Sequence, residues 1–232
     1  MSELTLDELG LRYNCDKSSL GRVKGDGEKR SSGHDYLRKY EFFVERFRYR
    51  DGVRLLELGI GPDWNMGASL KIWKDYFQQD DFTVKMVDIN PNALRFEGKR
   101  IEIDIGDLGN VQFLKRLASD EYDIIVDDAS HFWGHQIQGF IHLFPALQPG
   151  GVYIIEDIHT SFGPLRDRYS EGYEMDAYEF LSGIAALVTG RGRAHPFANK
   201  VRKDDRVAKL AKAIDSITFI KHSCIICRST YY

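Results

Sequence analysis

Two short stretches of this 232-residue chain concentrate groups that can do chemistry. IIVDDASHFWGHQ carries Asp127, Asp128, His131 and His135, and IIEDIHTS carries Glu156, Asp157 and His159. In each, an apolar run ends in carboxylates. Ligands of an open α/β sheet bind outside the carboxyl ends of its strands, and the ends of neighbouring strands lie about 5 Å apart. If the two runs are neighbours, Asp128, Glu156 and Asp157 converge. Clustered carboxylates repel unless a cation or protons compensate them. Hard oxygen ligands without cysteine favour Mg²⁺, with Ca²⁺ or Mn²⁺ as alternatives. His131 lies three residues past Asp128, near enough to serve the same site. The plainer alternative is that Asp128 or Ser130 only caps a helix. His135 follows His131 by four residues, the spacing of a helical zinc pair, although a packing or supporting role fits it better.

A third feature is Gly59-Ile60-Gly61, directly after the apolar run Leu55–Leu58. Glycines there let the chain turn tightly and let a ligand approach the backbone. Asp88 ends the next strand, where an acid can take both hydroxyls of a ribose. A dinucleotide loop would place a third glycine where Trp64 stands; the next is Gly67, after the insert PDWNM. That argues against NAD and against a pyrophosphate seated on a helix N-terminus. The alternative is that the glycines merely turn the chain and Asp88 caps a helix starting at Asn90.

These groups need elements to position them. From Val53 the pattern alternates strand and helix: strands at 55–58, 83–87, 101–105, 122–126 and 152–155, with helix faces at Leu70/Trp73/Phe77, Val111/Leu114/Leu117 and Phe140/Ile141/Phe144/Leu147. Pro149-Gly150-Gly151 is expected to terminate the last of these helices. Continuous apolar strands separated by helices imply a parallel sheet covered on both faces. Residues 176–188 look helical, 190–200 look like a basic loop, and Val207, Leu210, Ala211 and Ile214 mark a last helix. The end, SITFIKHSCIICRST, reads as a hairpin turning at Lys221-His222-Ser223. Before Val53, residues 14–33 are polar and glycine-rich and are expected to form a mobile loop, followed by a helix carrying Tyr36, Tyr40, Phe43 and Phe47. The expected division is an N-terminal helical or lid segment, 1–50, and one main domain, 51–232.

Composition narrows the partners. Hydrophobic residues make up 43% and charged residues 29%, which is globular, and the net charge of −3 offers no electrostatic reason for nucleic-acid or membrane-surface binding. No apolar run approaches the ~20 residues of a bilayer span. The acidic start MSELTLDELG is unlike an export signal, so a cytoplasmic protein is expected. Cys15, Cys224 and Cys227 are an odd count that fits free thiols better than a metal or redox C-x-x-C.

LLELGIG, with Glu57 two residues before Gly59, resembles the first motif of class I S-adenosylmethionine-dependent methyltransferases. The resemblance implies a Rossmann-like fold with a mostly parallel seven-stranded sheet and a C-terminal antiparallel hairpin. It implies cofactor contacts from Glu57, Gly59, Gly61 and Asp88, with Asp107 near the adenine and Asp127 also on the cofactor side. DKSS, H-x-Y with YE, G-x-SL-x-x-W, DDASH-x-x-x-HQ, LFPAL-x-PGG and IEDIHTS narrow the likeness to metal-dependent sugar O-methyltransferases of antibiotic pathways, of the mycinamicin and macrocin type. By that resemblance Asp128, Glu156 and Asp157 bind a divalent metal such as Mg²⁺, and His131 is the general base. Lys17, His34, Tyr36, Tyr40 and His159 are then candidate substrate contacts. The implied substrate is a glycoside or a nucleotide sugar, and the family implies a homo-oligomer. The insert PDWNMG and the span 160–213 depart from the family pattern. A catechol, polyketide or β-lactam acceptor, a metallohydrolase and a non-catalytic binding module are the competing readings.

Overall fold

The apolar runs bounded by polar turns do become strands in the computed structural model of the chain, which describes residues 3–21, 23–24, 29–30, 33–192 and 194–231. Two units are distinguished, Met1–Ile105 and Gly106–Tyr232.

The first unit opens with α1 (Leu6–Arg12), whose N-terminus is closed by a Thr5/Glu8 capping box. Such a box satisfies helix N–H groups that would otherwise lack partners. α2 (Leu37–Val44) follows and continues as a 3₁₀ turn, Glu45–Phe47. Then come β1 (Arg54–Leu58), α3 (Ala68–Tyr76), β2 (Thr83–Asp88) and β3 (Ile101–Ile105). The strands are parallel in the order β3-β2-β1. β1 is buried from Leu55 to Leu58, as a strand covered on both faces must be. α3 is held by an aromatic stack of Trp73, Phe77 and Phe82, all fully buried. Full burial of each such side chain stabilises the fold by about 1.5–3 kcal/mol.

The second unit contains α4 (Val111–Leu117), β4 (Tyr122–Asp127), α5 (Trp133–Leu143) and β5 (Leu147–Ile155). After these come α6 (Arg166–Tyr169), α7 (Ala177–Val188), α8 (Pro196–Val201), α9 (Asp205–Lys212) and the hairpin β6 (Ile214–Ile220) with β7 (Ser223–Arg228). β4 and β5 are parallel neighbours, and β7 lies antiparallel between β5 and β6. The terminal hairpin therefore closes this unit as the sequence predicts.

Several boundaries differ from the sequence reading. Pro149-Gly150-Gly151 lies inside β5 and does not end α5, which stops at Leu143 before the 3₁₀ turn Phe144–Ala146. Proline removes a ladder donor but is tolerated at an irregularity, and here the β4–β5 register shifts between Tyr122 and Ile124. The expected loop at 190–200 contains α8, with Pro196 at its first position, where a missing N–H costs nothing. Asn90 caps a 3₁₀ turn, Pro91–Phe96, in place of an α-helix. In the expected mobile loop at 14–33, residues 22, 25–28, 31 and 32 lie outside the described residues, as do 1, 2, 193 and 232. Its first part is anchored: Ser18 is fully buried, and the carbonyls of Lys17 and Ser18 accept from the backbone N–H groups of Tyr36 and Asp35. No cysteine is in a disulfide. Among the described residues no helix is long and apolar enough to cross a membrane.

Candidate active site

In the first unit, β1 runs into a turn where Gly59 and Gly61 have φ of 90° and 91°. Only glycine adopts this region without steric cost. Gly67 N–H donates to the Ile60 carbonyl at 2.8 Å, so residues 62–66 form an excursion from an otherwise closed loop. Gly67 is also required for space, because a Cβ there would stand 2.7 Å from the Phe96 ring. The insert PDWNM thus delays the start of α3 without opening the turn.

Asp88 ties this loop to β2. Its Oδ2 accepts from the Ile60 N–H at 3.0 Å and its Oδ1 from the Asn90 N–H at 2.8 Å. Both the ligand and the cap reading have a basis here, since each carboxylate oxygen keeps a further lone pair for a donor such as a hydroxyl. Glu57 has a structural partner as well. It is buried, and its Oε2 accepts from Trp73 Nε1 at 2.9 Å, so it fastens α3 to β1. Tyr36 and Tyr40 are fully buried and stacked with centroids 5.7 Å apart, with His34 edge-on to Tyr36. Packing is the role the structure gives these two tyrosines directly. Lys17 is likewise buried.

In the second unit, β4 and β5 pair so that Asp127 is opposite Ile155. The acids that follow them therefore leave the sheet side by side. Ligand atoms of Asp128, His131 and Asp157 all lie within 4.8 Å of one another. His131 Nε2 is 3.4 Å from Asp157 Oδ2 and 4.0 Å from Asp128 Oδ1. Two ionised carboxylates within 4.8 Å repel by about 3.5 kcal/mol or more at an effective dielectric of about 20. An oxygen-rich trio of this kind suits a divalent cation.

The backbone that aims these groups is strained. His131 and Asp157 both sit in the left-handed region, at φ 58° and 55°. Each such non-glycine residue costs on the order of 1–3 kcal/mol and persists only where its surroundings hold it. The surroundings are visible: Thr160 Oγ1 donates to the His131 carbonyl at 3.4 Å, and Ile158 N–H donates to the His222 carbonyl at 2.9 Å. His131 Nδ1 is buried and has no hydrogen-bond partner among the described residues, so backbone and packing orient the ring.

The remaining predicted residues take different places. Glu156 is buried and is not in the group of three; its carbonyl accepts from Gln136 Nε2 at 2.8 Å. Asp127 is buried with Oδ2 near Gly139 and Tyr153, and burial pushes its carboxyl up to about 6 against the opposing pull of His131. Asp107 is exposed, and its Oδ1 accepts from the Gly109 N–H at 2.8 Å. His159 Nδ1 lies 3.7 Å from Asp157 Oδ1. His135 is not paired with His131: its Nδ1 is 2.8 Å from Ser130 Oγ. Sequence reasoning missed Gln136, Thr160 and His222. Gln136 and Thr160 stood inside quoted motifs without a role assigned to them, and His222 had only its place in a turn that nothing in the sequence tied to Asp157.

Known proteins resemble this chain in sequence and in fold. No family model matches the chain. The chain is 39% identical over 153 residues to 8-demethyl-8-(2-methoxy-α-L-rhamnosyl)-tetracenomycin-C 3′-O-methyltransferase of Streptomyces olivaceus, covering 62% of this chain and 38% of that one. It is 33% identical over 187 residues to 8-demethyl-8-α-L-rhamnosyl tetracenomycin-C 2′-O-methyltransferase of the same organism, covering 78% and 44%. Among solved structures, the MycE methyltransferase of the mycinamycin pathway, in complex with Mg, SAH and mycinamycin VI, superposes with a TM-score of 0.75 at 23% identity, covering 98% of this chain and 55% of that one. The chain thus spans less than half the length of these curated relatives. In sequence and in fold it belongs with the sugar O-methyltransferases of natural-product glycosides, on the class I methyltransferase fold.

Proposed function

We propose that the chain is a divalent-metal- and S-adenosylmethionine-dependent O-methyltransferase that methylates a sugar hydroxyl of a glycosylated natural product or nucleotide sugar. The observation that carries this reading is the convergence of Asp128, His131 and Asp157 beyond the paired strands β4 and β5. Asp128, Asp157 and Glu156 would hold the cation, with Mg²⁺ matched to oxygen donors. Gly59 and Gly61 leave the backbone accessible, Asp88 offers lone pairs to a ribose, and Asp107 stands for the adenine end. Glu57 positions the loop through Trp73, and Asp127, buried beneath the site, supports it from below. When bound, the cation acidifies a coordinated hydroxyl and the cofactor offers a methyl on positively charged sulfur.

His131 Nε2 receives the proton from the acceptor hydroxyl. An imidazole nitrogen with a free lone pair can take up such a proton as a general base. The left-handed backbone at His131 and the contact from Thr160 hold the ring in place, so its alignment precedes substrate binding. Lys17, His34 and His159 remain candidate acceptor contacts. The balanced charge and buried thiols fit a small-molecule partner in a reducing, cytoplasmic setting.

Incubation with S-adenosylmethionine and a panel of glycosides, nucleotide sugars and catechols tests the reading. The expected result is a one-methyl mass gain on a sugar, abolished by chelator and restored by Mg²⁺. Transfer undiminished by chelator removes the metal, and a gain only on catechols removes the sugar.

A further inference from the structure

Gln136 lies in the first turn of α5 with 1% of its surface exposed. Its Nε2 donates to the Glu156 carbonyl at 2.8 Å. Its Oε1 is buried and has no hydrogen-bond partner among the described residues. Burying an amide with one end unpaired costs stability, so packing alone does not explain a glutamine where an apolar side chain would fill the same space.

The bond falls at a particular place in the chain. The Glu156 carbonyl belongs to the peptide that joins Glu156 to Asp157, two of the three acids that would hold the cation. The main chain around it is held by other elements. The Glu156 N–H donates to the Asp127 carbonyl of β4 at 2.9 Å, and the Ile158 N–H donates to the His222 carbonyl in the β6–β7 turn at 2.9 Å. Asp157 stands between these grips with φ 55°. Of the three, the grip from Gln136 is made by a side chain, so a substitution can remove it. Because α5 starts two residues past His131, the same bond ties the His131 loop to the Asp157 turn.

We propose that Gln136 is a positioning residue: by holding the Glu156 carbonyl it keeps the Asp157 turn in its left-handed form before any cation is present. This rests on the metal reading of the site and deepens it. The physical basis is preorganisation. A non-glycine residue in the left-handed region relaxes unless its surroundings hold it. Without the Gln136 bond the turn of the free chain is mostly relaxed. The cation binds only the remaining fraction, and its apparent affinity falls by that fraction. At saturating cation the turn is drawn back and the site is complete again. A glutamine that merely fills space predicts a loss of stability and no change at the turn.

The test uses the whole chain, stripped of metal, and the variant Gln136→Met, whose side chain has the same length and no donor. Hydrogen–deuterium exchange, read by mass spectrometry on peptides covering 156–161, needs no cation. In wild type these amides are expected to be protected without Mg²⁺. In Gln136→Met they should exchange about 10-fold faster, with peptides from β6 and β7 unchanged. Calorimetric titration with Mg²⁺ alone should give about 10-fold weaker binding for the variant. In turnover, the Mg²⁺ concentration for half-activation should rise by about the same factor, with kcat at saturating Mg²⁺ within about twofold of wild type. Ile141→Val, one methylene fewer in the same helix, is the control. It should lower the melting temperature by about 1–6 °C and leave exchange at 156–161 and Mg²⁺ affinity as in wild type. The proposal is overturned if Gln136→Met leaves exchange and Mg²⁺ affinity at wild-type values, if Ile141→Val loosens the turn equally, or if the wild-type turn becomes protected only when Mg²⁺ is added. The last outcome is read on wild type and decides the matter even where the variant does not fold. A wild type that binds no Mg²⁺ sinks the metal reading instead, and the exchange comparison still decides whether Gln136 holds the turn.

Discussion

The glycine turn after β1 and the acid turns after β4 and β5 both bend the chain through the left-handed region, and they do so with opposite residues. The first uses Gly59 and Gly61, at φ near 90°. The second uses His131 and Asp157, at φ 58° and 55°. At the glycine turn the backbone itself is the useful surface, so a side chain is dispensable. At the acid turns the side chain is the functional group, so the fold tolerates strain to aim it. The polar groups differ in the same way. Glu57 and Asp88 accept hydrogen bonds from Trp73, Ile60 and Asn90, whereas Asp128 and Asp157 lie close together with the His131 ring 4.0 and 3.4 Å from them. On the proposed reading, the first region would receive a ligand through its backbone and the second would hold a cation.

The largest expected effect separates function from stability at the acid turns. Asp157→Gly removes a carboxylate and relieves the left-handed backbone together. Turnover should fall to background while the melting temperature, measured without metal, rises by about 2–4 °C, the equivalent of roughly 1 kcal/mol in a chain of this size. A fall in melting temperature would show that Asp157 is structurally required and not strained. His131→Ala comes next: kcat should drop by about 10²–10⁴, with Mg²⁺ affinity by calorimetry little changed. A parallel loss of Mg²⁺ affinity would make His131 a ligand, which its place within 4.8 Å of the acids permits geometrically.

At the glycine turn the effects should be smaller and of another kind. Asp88→Ala should weaken SAH binding by about 10- to 100-fold, the worth of hydrogen bonds to a charged group, with kcat at saturating cofactor nearly unchanged. Unaltered affinity would remove the ribose assignment. Gly61→Ala is the mildest. It should lower stability by about 1–2 kcal/mol through its left-handed φ alone, read as a fall of about 2–8 °C in melting temperature. A larger loss of activity than of stability there would show that the exposed Gly61 backbone touches ligand.

Much of this was legible in the chain. Continuous apolar runs identified the parallel strands, because a strand covered on both faces has no polar face to alternate. Acids at the ends of two such runs pointed to the groups that converge, Asp128 and Asp157, because strand ends are where an α/β fold exposes side chains. What was misread depended on contacts distant in sequence. Glu57 was picked out by its motif, but its hydrogen bond from Trp73, sixteen residues on, is seen only in the folded chain. Pro149-Gly150-Gly151 looked like a helix stop because local turn chemistry says so, yet pairing with β4 draws it into a strand. His222 gave no sign of its part, since its contact with His159 exists only once the hairpin folds back.

The sequence by itself determined which residue types are available and which elements carry them, because propensity and periodicity are local properties. Only the tertiary structure decided that Asp128, His131 and Asp157 share one small volume and that Glu156 stands outside that trio. Those outcomes depend on strand register and loop closure, and a difference of one residue in register would turn the same side chains to the opposite face.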